Sequence, residues 1–413
     1  MLINRFADLD PETSDFAVKV VERLVPYAIE AQASDIHLQP RGDVGWEVLF
    51  RIDGVLAVVD TIKASRLSDP VARLMVLASL PTYRSSQPME GRLNWPTAAS
   101  SQGASSKGAL DPSISMRLGV FPTVHGPRAV IRLLRQNDRY DRVESLGMSD
   151  FITAELVRLS QQTDGAILIS GPTGSGKTTT LYAMLREIAA SNVRRSVLTI
   201  EDPIESIIDS ISQSELDPSG GMTLASALRS AVRQDSEVLL VSEIRDPETA
   251  EAVIQASMTG HLVFSTLHAS DVASTLRRFV QFGTPTFALR SGLTAVLSQR
   301  LLRRRCTHCR GVDGGLHSEQ TKCGECLGSR YQGRIAIACC HRFDGSDPAG
   351  EAMADALEAG GSVAKMQAAS KEAGATSLRE VADELVQKGI TDQAEVYRVL
   401  GRCDFQPSQS DSR

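Results

Sequence analysis

Residues 171–178 read Gly171-Pro172-Thr173-Gly174-Ser175-Gly176-Lys177-Thr178, preceded by the apolar run Gly165 to Ser170 and followed by a helical pattern from Thr179 to Ile188. Strand, glycine-rich loop and helix in that order are the context a phosphate-binding loop requires. The glycines let main-chain N–H groups turn inward on phosphate oxygens. Lys177 supplies a point charge for the outer phosphates, and the Thr178 hydroxyl can ligate a bridging Mg²⁺. The helix that begins here, with Thr179 in its first turn, aims its positive dipole end at the same anion. A glycine-rich turn matching by chance is the alternative; the complete spacing, the Lys-Thr pair and both flanks speak against it. The expected ligand is a nucleoside triphosphate, ATP, with Mg²⁺.

Other segments carry groups that suit phosphoryl chemistry. Val238 to Val241 is an apolar run that leads into Ser242-Glu243. An acid at the carboxyl end of such a strand sits where the metal or its waters lie, so Glu243 is the candidate metal organiser; an acid that merely ends a strand is the alternative. Thr199 to Glu205 ends another strand with Glu201, Asp202 and Glu205. Grouped carboxylates can orient or deprotonate water; Glu201 is the first choice and Glu205 the substitute, against a solvated acidic loop. His261 and His268 flank a short apolar strand, and one of these imidazoles can sense the γ-phosphate. Arginines can stabilise transition-state charge. Arg229 and Arg233 lie four apart on an expected helix, and Arg117 and Arg132 lie on separate expected strands; surface salt bridging is the default for all four.

Six of the seven cysteines fall between 306 and 340. Cys306-Thr-His-Cys309 and Cys323-Gly-Glu-Cys326 are two C-x-x-C knuckles separated by 13 residues. Four thiolates at this spacing suit one closed, structural tetrahedral Zn²⁺, which would fold a segment with little core of its own. A redox dithiol is the alternative, and His308, Cys339 and Cys340 are possible substitute ligands.

The elements that must position these groups divide the 413-residue chain. Apolar positions Phe16, Val20, Leu24, Tyr27, Ala28 and Ala31 recur at helical spacing. A short strand at 36–38, an alternating stretch over 47–59 broken at Asp53-Gly54, and strands at 114–118 and 128–134 complete a small α+β domain over 12–136. Residues 97–110 are low-complexity and read as an inserted flexible loop. A linker at 137–146 leads to a unit over 147–303, with strands expected at 166–170, 196–201, 237–242 and 262–267. Alternation with helices implies an α/β unit with a mainly parallel sheet covered on both faces. A tetracysteine segment over 304–340 and a helical region over 341–405 follow, with helices on either side of a break at 389–391.

A net charge of -6 argues against sequence-independent nucleic-acid binding. No apolar run approaches the length of a membrane span, and no secretory signal precedes the first domain, so a cytosolic location is expected.

Taken together, these segments resemble the secretion ATPase superfamily, the motors of type II secretion and type IV pilus assembly. Thr199 to Glu205 is similar to the family's Asp box, Thr259 to His268 to its His box, and Leu239 to Asp246 to its Walker B element. Ala33 to Pro40, Arg51 to Gly54, Phe121 to Gly126 and Val130 to Leu134 resemble the domain preceding the motor. The resemblance implies a RecA-like P-loop core behind a PAS-like domain, and a hexamer acting on an inner-membrane platform protein from the cytoplasmic side. It also makes Arg117, Arg132, Arg229 and Arg233 candidate nucleotide or inter-subunit contacts. The tetracysteine segment is similar to that of secretion and pilus-extension members. Ser242 stands where the family usually has Gly, Gln39 replaces a usual Glu, and Met89-Glu90 replaces a usual Gln-Asp pair. The chain begins at the second family domain, so docking on the platform is expected to use another surface or a separate protein. Two other readings stay open: a related motor for DNA uptake or conjugative transfer, with Arg303-Arg304-Arg305 beside the zinc segment, and a nucleotide-gated scaffold without turnover.

Overall fold

The computed structural model describes residues 5–83, 87–95, 114–135, 140–217, 220–311, 323, 325, 326 and 328–402. The expected inserted loop at 97–110 lies outside the described residues, as do 137–139 of the linker and 403–405 of the helical end. The chain forms two compact units, Met1–Asn137 and Asp138–Arg413.

The first unit holds α1 (Phe16–Glu30), β1 (Asp35–Pro40), β2 (Gly45–Ile52), β3 (Val55–Lys63), α2 (Pro70–Leu77), β4 (Met89–Arg92), β5 (Ile114–Thr123) and β6 (Gly126–Arg135). The strands form one antiparallel sheet in the order β3-β2-β1-β6-β5-β4. Phe16, Val20, Val21, Leu24 and Val25 of α1 are buried on one stripe and pack in the same core as Ile36, Leu38, Phe50 and Ile131 from the sheet. Asp53 and Gly54 both have positive φ, 48° and 81°, as a tight two-residue hairpin turn requires. β5 and β6 run further than expected because their ladder continues to Thr123 opposite Gly126, where the Thr123 hydroxyl donates to the Gly126 carbonyl at 2.6 Å. The motif residues Asp35 and Arg51 meet Arg132 here: the buried Asp35 carboxylate lies 3.4 Å from Arg51 Nε and 3.3 Å from Arg132 Nε.

The second unit contains α3 (Asp150–Ser160), β7 (Gly165–Ser170), α4 (Lys177–Ala189), β8 (Val197–Glu201), β9 (Ser212–Glu215), α5 (Leu224–Ala231), β10 (Val238–Val241), α6 (Pro247–Met258) and β11 (Leu262–Leu267). It continues with α7 (Val272–Gln281), α8 (Thr286–Gly292), β12 (Leu293–Arg305), β13 (Tyr331–Arg342), α9 (Pro348–Glu358), α10 (Val363–Glu372), α11 (Leu378–Gln387) and α12 (Gln393–Leu400). The sheet order is β13-β12-β7-β11-β10-β8-β9, parallel throughout except for β13 against β12.

The central strands are apolar on both faces, and their alternation divides the core. Ile167, Ile169, Val238, Leu240, Phe264 and Leu297 pack with α3 and α4. Ala166, Leu168, Leu239, Val241, Val263 and Val296 pack with α5, α6, α7, α9 and α10. Helices therefore cover both faces, as a buried parallel sheet demands.

Strands β9, β12 and β13 differ from the sequence expectation. β13 takes residues 331–342 into the sheet, so the tetracysteine hairpin is confined to the connection between β12 and β13 instead of running to 340. Cys339 and Cys340 lie on that strand, opposite Ser298 and Leu297, away from the C-x-x-C knuckles. No helix among the described residues is long and apolar enough to cross a membrane.

Candidate nucleotide site and metal centre

The phosphate loop leaves the carboxyl end of β7 and enters α4. Gly171, Gly174 and Gly176 have φ of 157°, 76° and 90°, and a Cβ on Gly171 would stand 2.5 Å from Ser175 Oγ and 2.6 Å from the Gln299 carbonyl. A Cβ on Gly174 would meet nothing within 4 Å, so at that position glycine is required by the backbone turn itself. Pro172, Thr173 and Gly174 are exposed, Thr178 is half-buried and Thr179 is exposed. The Lys177 ammonium is buried and donates to the carbonyls of Gly171 at 3.0 Å and Pro172 at 3.2 Å. Burial first, and the Arg300 guanidinium second, lower its pKa to about 8, while Glu205 pulls the other way. A buried cation short of counter-charge, at a helix N-terminus beside the buried, unpartnered Ser175 hydroxyl, fits a phosphate group.

β12 supplies residues that the sequence pattern did not mark. The buried Gln299 amide donates from Nε2 to the Ser175 carbonyl and accepts at Oε1 from the Thr180 hydroxyl, both at 2.9 Å. It ties the sheet to both ends of the loop-to-helix junction. Arg300 donates to the carbonyls of Gln299 at 2.8 Å and Ser270 at 2.5 Å. No fixed spacing from the glycine-rich loop signals these residues; adjacency of β12 to β7 brings them there.

The acids and histidines take different places. Glu201 is buried and its oxygens are engaged: Oε1 accepts from Thr199 Oγ1 at 2.6 Å and Gln213 Nε2 at 3.0 Å, and Oε2 accepts from the Tyr182 hydroxyl. Three of its lone pairs are thus taken up by the protein, which ties Glu201 to Tyr182, Thr199 and Gln213. Glu205 is exposed, and its charge acts on Lys177. Glu243 extends from the end of β10 with one oxygen 3.3 Å from His268 Nε2 and the other against Arg245 Nε. Asp202 lies 3.8 Å from Arg245. His268 has its pKa lowered by burial first, then by Lys177 and Arg245, so it is a neutral imidazole at neutral pH.

His261 precedes β11 and lies beside Gly165 at the start of β7, whose N–H donates to the His261 carbonyl at 3.1 Å. β7 rises about 3.3 Å per residue over its length, so His261 is roughly 20 Å from the loop at the other end of the sheet. Its Nδ1 is 3.2 Å from the Ala256 carbonyl. Of the two histidines that flank β11, His268 is therefore the one at the loop end of the sheet.

The arginines are dispersed. α5 ends at Ala231, so Arg233 lies in the following turn and not on a shared helix face with Arg229. Both are exposed and have no ion-pair partner among the described residues. Arg117 is 2.9 Å from Glu90, and Arg132 is held by Asp35 within the first unit.

The sulfurs of Cys306, Cys309, Cys323 and Cys326 all lie within 4.8 Å of one another. The Cys306–Cys323 and Cys309–Cys326 pairs are 3.9 and 3.7 Å apart. A tetrahedron with Zn–S near 2.3 Å has sulfur–sulfur edges of about 3.8 Å, so the four thiols fit a zinc ion.

A mainly parallel sheet with a phosphate loop leaving a central strand, and with acids at the same edge, defines a P-loop nucleoside triphosphatase. The family described as Type II/IV secretion system protein matches residues 10–398, and the chain belongs to it. Type II secretion system protein HxcR of Pseudomonas aeruginosa is 36% identical over 406 residues, covering 96% of this chain and 82% of that protein. Type IV pilus assembly ATPase TfpB of Acinetobacter baylyi is 33% identical over 410 residues, 95% of this chain and 67% of that one. The solved structure of the ATPase DotB from Legionella pneumophila shares the fold with a TM-score of 0.67 at 21% identity, covering 97% and 99% of the two chains.

Proposed function

We propose that this chain is a motor ATPase that hydrolyses ATP to drive assembly of a type II secretion pseudopilus or a type IV pilus at the inner membrane. The observation that carries the reading is the presence at one sheet edge of a buried, charge-starved Lys177, the Glu205 charge that acts on it and the Glu243–His268 pair. ATP sits on residues 171–179. Mg²⁺, held by Thr178 and organised by Glu243, neutralises phosphate charge when bound. Glu205 positions the attacking water, while Glu201 holds Tyr182 and the strand ends in register. His268 reports the state of the γ-phosphate to Glu243.

The RecA-like core occupies 147–303 together with β13, behind a PAS-like unit at 12–136 and a linker at 137–146. The helical region over 341–405 closes the chain. Zinc is structural, folding the hairpin between β12 and β13. Six subunits form a ring on a platform protein, peripheral to the membrane. Arg229 and Arg233 are free to serve a neighbouring subunit's nucleotide; Arg117 and Arg132 must first leave Glu90 and Asp35. Replacing Lys177 with Ala abolishes phosphate release by the purified oligomer while the melting temperature holds. Undiminished hydrolysis by that variant refutes the site.

A further inference from the structure

A cavity of about 270 Å³ lies within the second unit, between the β12–β13 edge and the helices α7, α9, α10 and α11. It is separate from the phosphate loop. Ser298, which lines it, points to the sheet face of Val296, whereas Gln299 points to the opposite face and braces the loop.

Two buried hydroxyls line this space without a partner. Ser298 Oγ on β12 and Ser370 Oγ on α10 belong to residues only 1% and 2% exposed, and neither makes a hydrogen bond among the described residues. An unmade buried hydroxyl is costly, and native structures leave few of them. The space is many times the ~30 Å³ share of one water.

Several of the charged groups around it are bonded within the protein. Asp271 accepts from Ser274 N at 2.7 Å, Ser270 Oγ at 2.9 Å and Gln367 Nε2 at 3.2 Å. Glu380 accepts from Ser377 N at 2.7 Å and Ser377 Oγ at 2.9 Å. His341 is paired with Asp347 at 2.9 Å. Lys371 is exposed. At the buried wall the space is bounded by the two hydroxyls, the Cys339 thiol and the apolar surfaces of Val272, Met353 and Leu378.

We propose that this cavity is a second ligand site, which takes a small uncharged heteroaromatic molecule. Its ring packs on Val272, Met353 and Leu378, and donor and acceptor atoms on its edge complete the bonds of Ser298 and Ser370. An uncharged ligand is favoured because the two buried groups left without a bond are neutral hydroxyls, and an ion placed against them would be desolvated without a charge at that wall.

The probe is benzimidazole, which carries one ring N–H and one ring acceptor and is neutral at mildly alkaline pH; benzoate and benzamidine serve as charged controls. Binding to the full chain is followed by saturation-transfer NMR. Benzimidazole binds and the two charged rings bind more weakly. Ser298→Ala and Ser370→Ala each weaken it roughly three- to tenfold, the worth of one hydrogen bond, while their melting temperatures hold or rise because a stranded hydroxyl is gone. Ser298→Val, which removes the hydroxyl and narrows the space at that wall, weakens it at least as much as Ser298→Ala. Absence of benzimidazole binding, binding by both Ala variants undiminished from the unmodified chain, tighter binding of a charged ring, or a fall in melting temperature in both Ala variants overturns the proposal.

Discussion

Replacing Gln299 with Leu keeps most of the side-chain volume and removes only the amide that ties β12 to the phosphate loop. Two hydrogen bonds of 2.9 Å are lost, and the Thr180 hydroxyl, in a residue 0% exposed, is stranded together with the Ser175 carbonyl. Each stranded buried group costs about 1–3 kcal/mol, so local stability should fall by about 2–6 kcal/mol. Adding Thr180→Val removes one of the stranded groups, and the double variant should recover about 1–2 kcal/mol of that loss. Both tryptophans, Trp46 and Trp95, lie in the other unit, so tryptophan fluorescence does not report here. Hydrogen exchange of the peptide spanning 171–185 does, because opening free energies are local. The same loss should weaken Mg-ADP binding, measured by calorimetry. Additivity of the two substitutions within about 0.5 kcal/mol refutes the claim that Gln299 acts through Thr180.

Glu205→Gln should lower turnover by about 10²–10⁴ with Mg-ATP binding retained, whereas Glu201→Gln should lower the melting temperature through its bonds to Tyr182, Thr199 and Gln213; the reverse pattern restores Glu201 as the water-orienting acid. Because burial brings Lys177 to about 8 in the folded protein against the usual 10.5, the unfolded chain binds the extra proton between those values. Nucleotide-free stability should therefore gain from this group as pH rises from about 8 towards 10.5, the penalty being fully present below 8. Mg-ATP binding near pH 8 should take up a proton, read by calorimetry in buffers of different ionisation enthalpy; no uptake refutes the shift. Zinc removal by a chelator, or Cys323→Ser, should expose the connection between β12 and β13 to protease and leave tryptophan fluorescence of the first unit unchanged. Cobalt substitution should give the absorption of a tetrahedral thiolate site, and octahedral spectra would rule out the four-cysteine set.

Much of the fold was legible because local pattern and final environment agree. The runs at β7, β10 and β11 are apolar at every position, and strands buried on both faces have no other way to read. Asp53-Gly54 marked its hairpin because few residue pairs accept two positive φ values in succession. β12 was hidden, since Ser298, Gln299 and Arg300 interrupt its apolar pattern; those residues are polar because they face the cavity and the phosphate loop. β9, Ser-Gln-Ser-Glu, is a half-exposed edge with no apolar signature at all.

The chain's own order of residues determined the chemistry that short-range geometry can build: a loop of glycines, a lysine and a helix start in succession, and two cysteine pairs whose spacing closes a tetrahedron. Tertiary structure alone decided which carboxylate is buried in hydrogen bonds and which imidazole stands at the loop end of the sheet. Glu201 and Glu205 are near neighbours on one segment, yet one is buried against Tyr182 and the other is exposed, its charge acting on Lys177. His261 and His268 bracket one strand and so occupy opposite ends of the sheet. Sequence separation measures distance along an extended strand, but convergence on a ligand depends on which strand ends share an edge, and that is settled only when the sheet assembles.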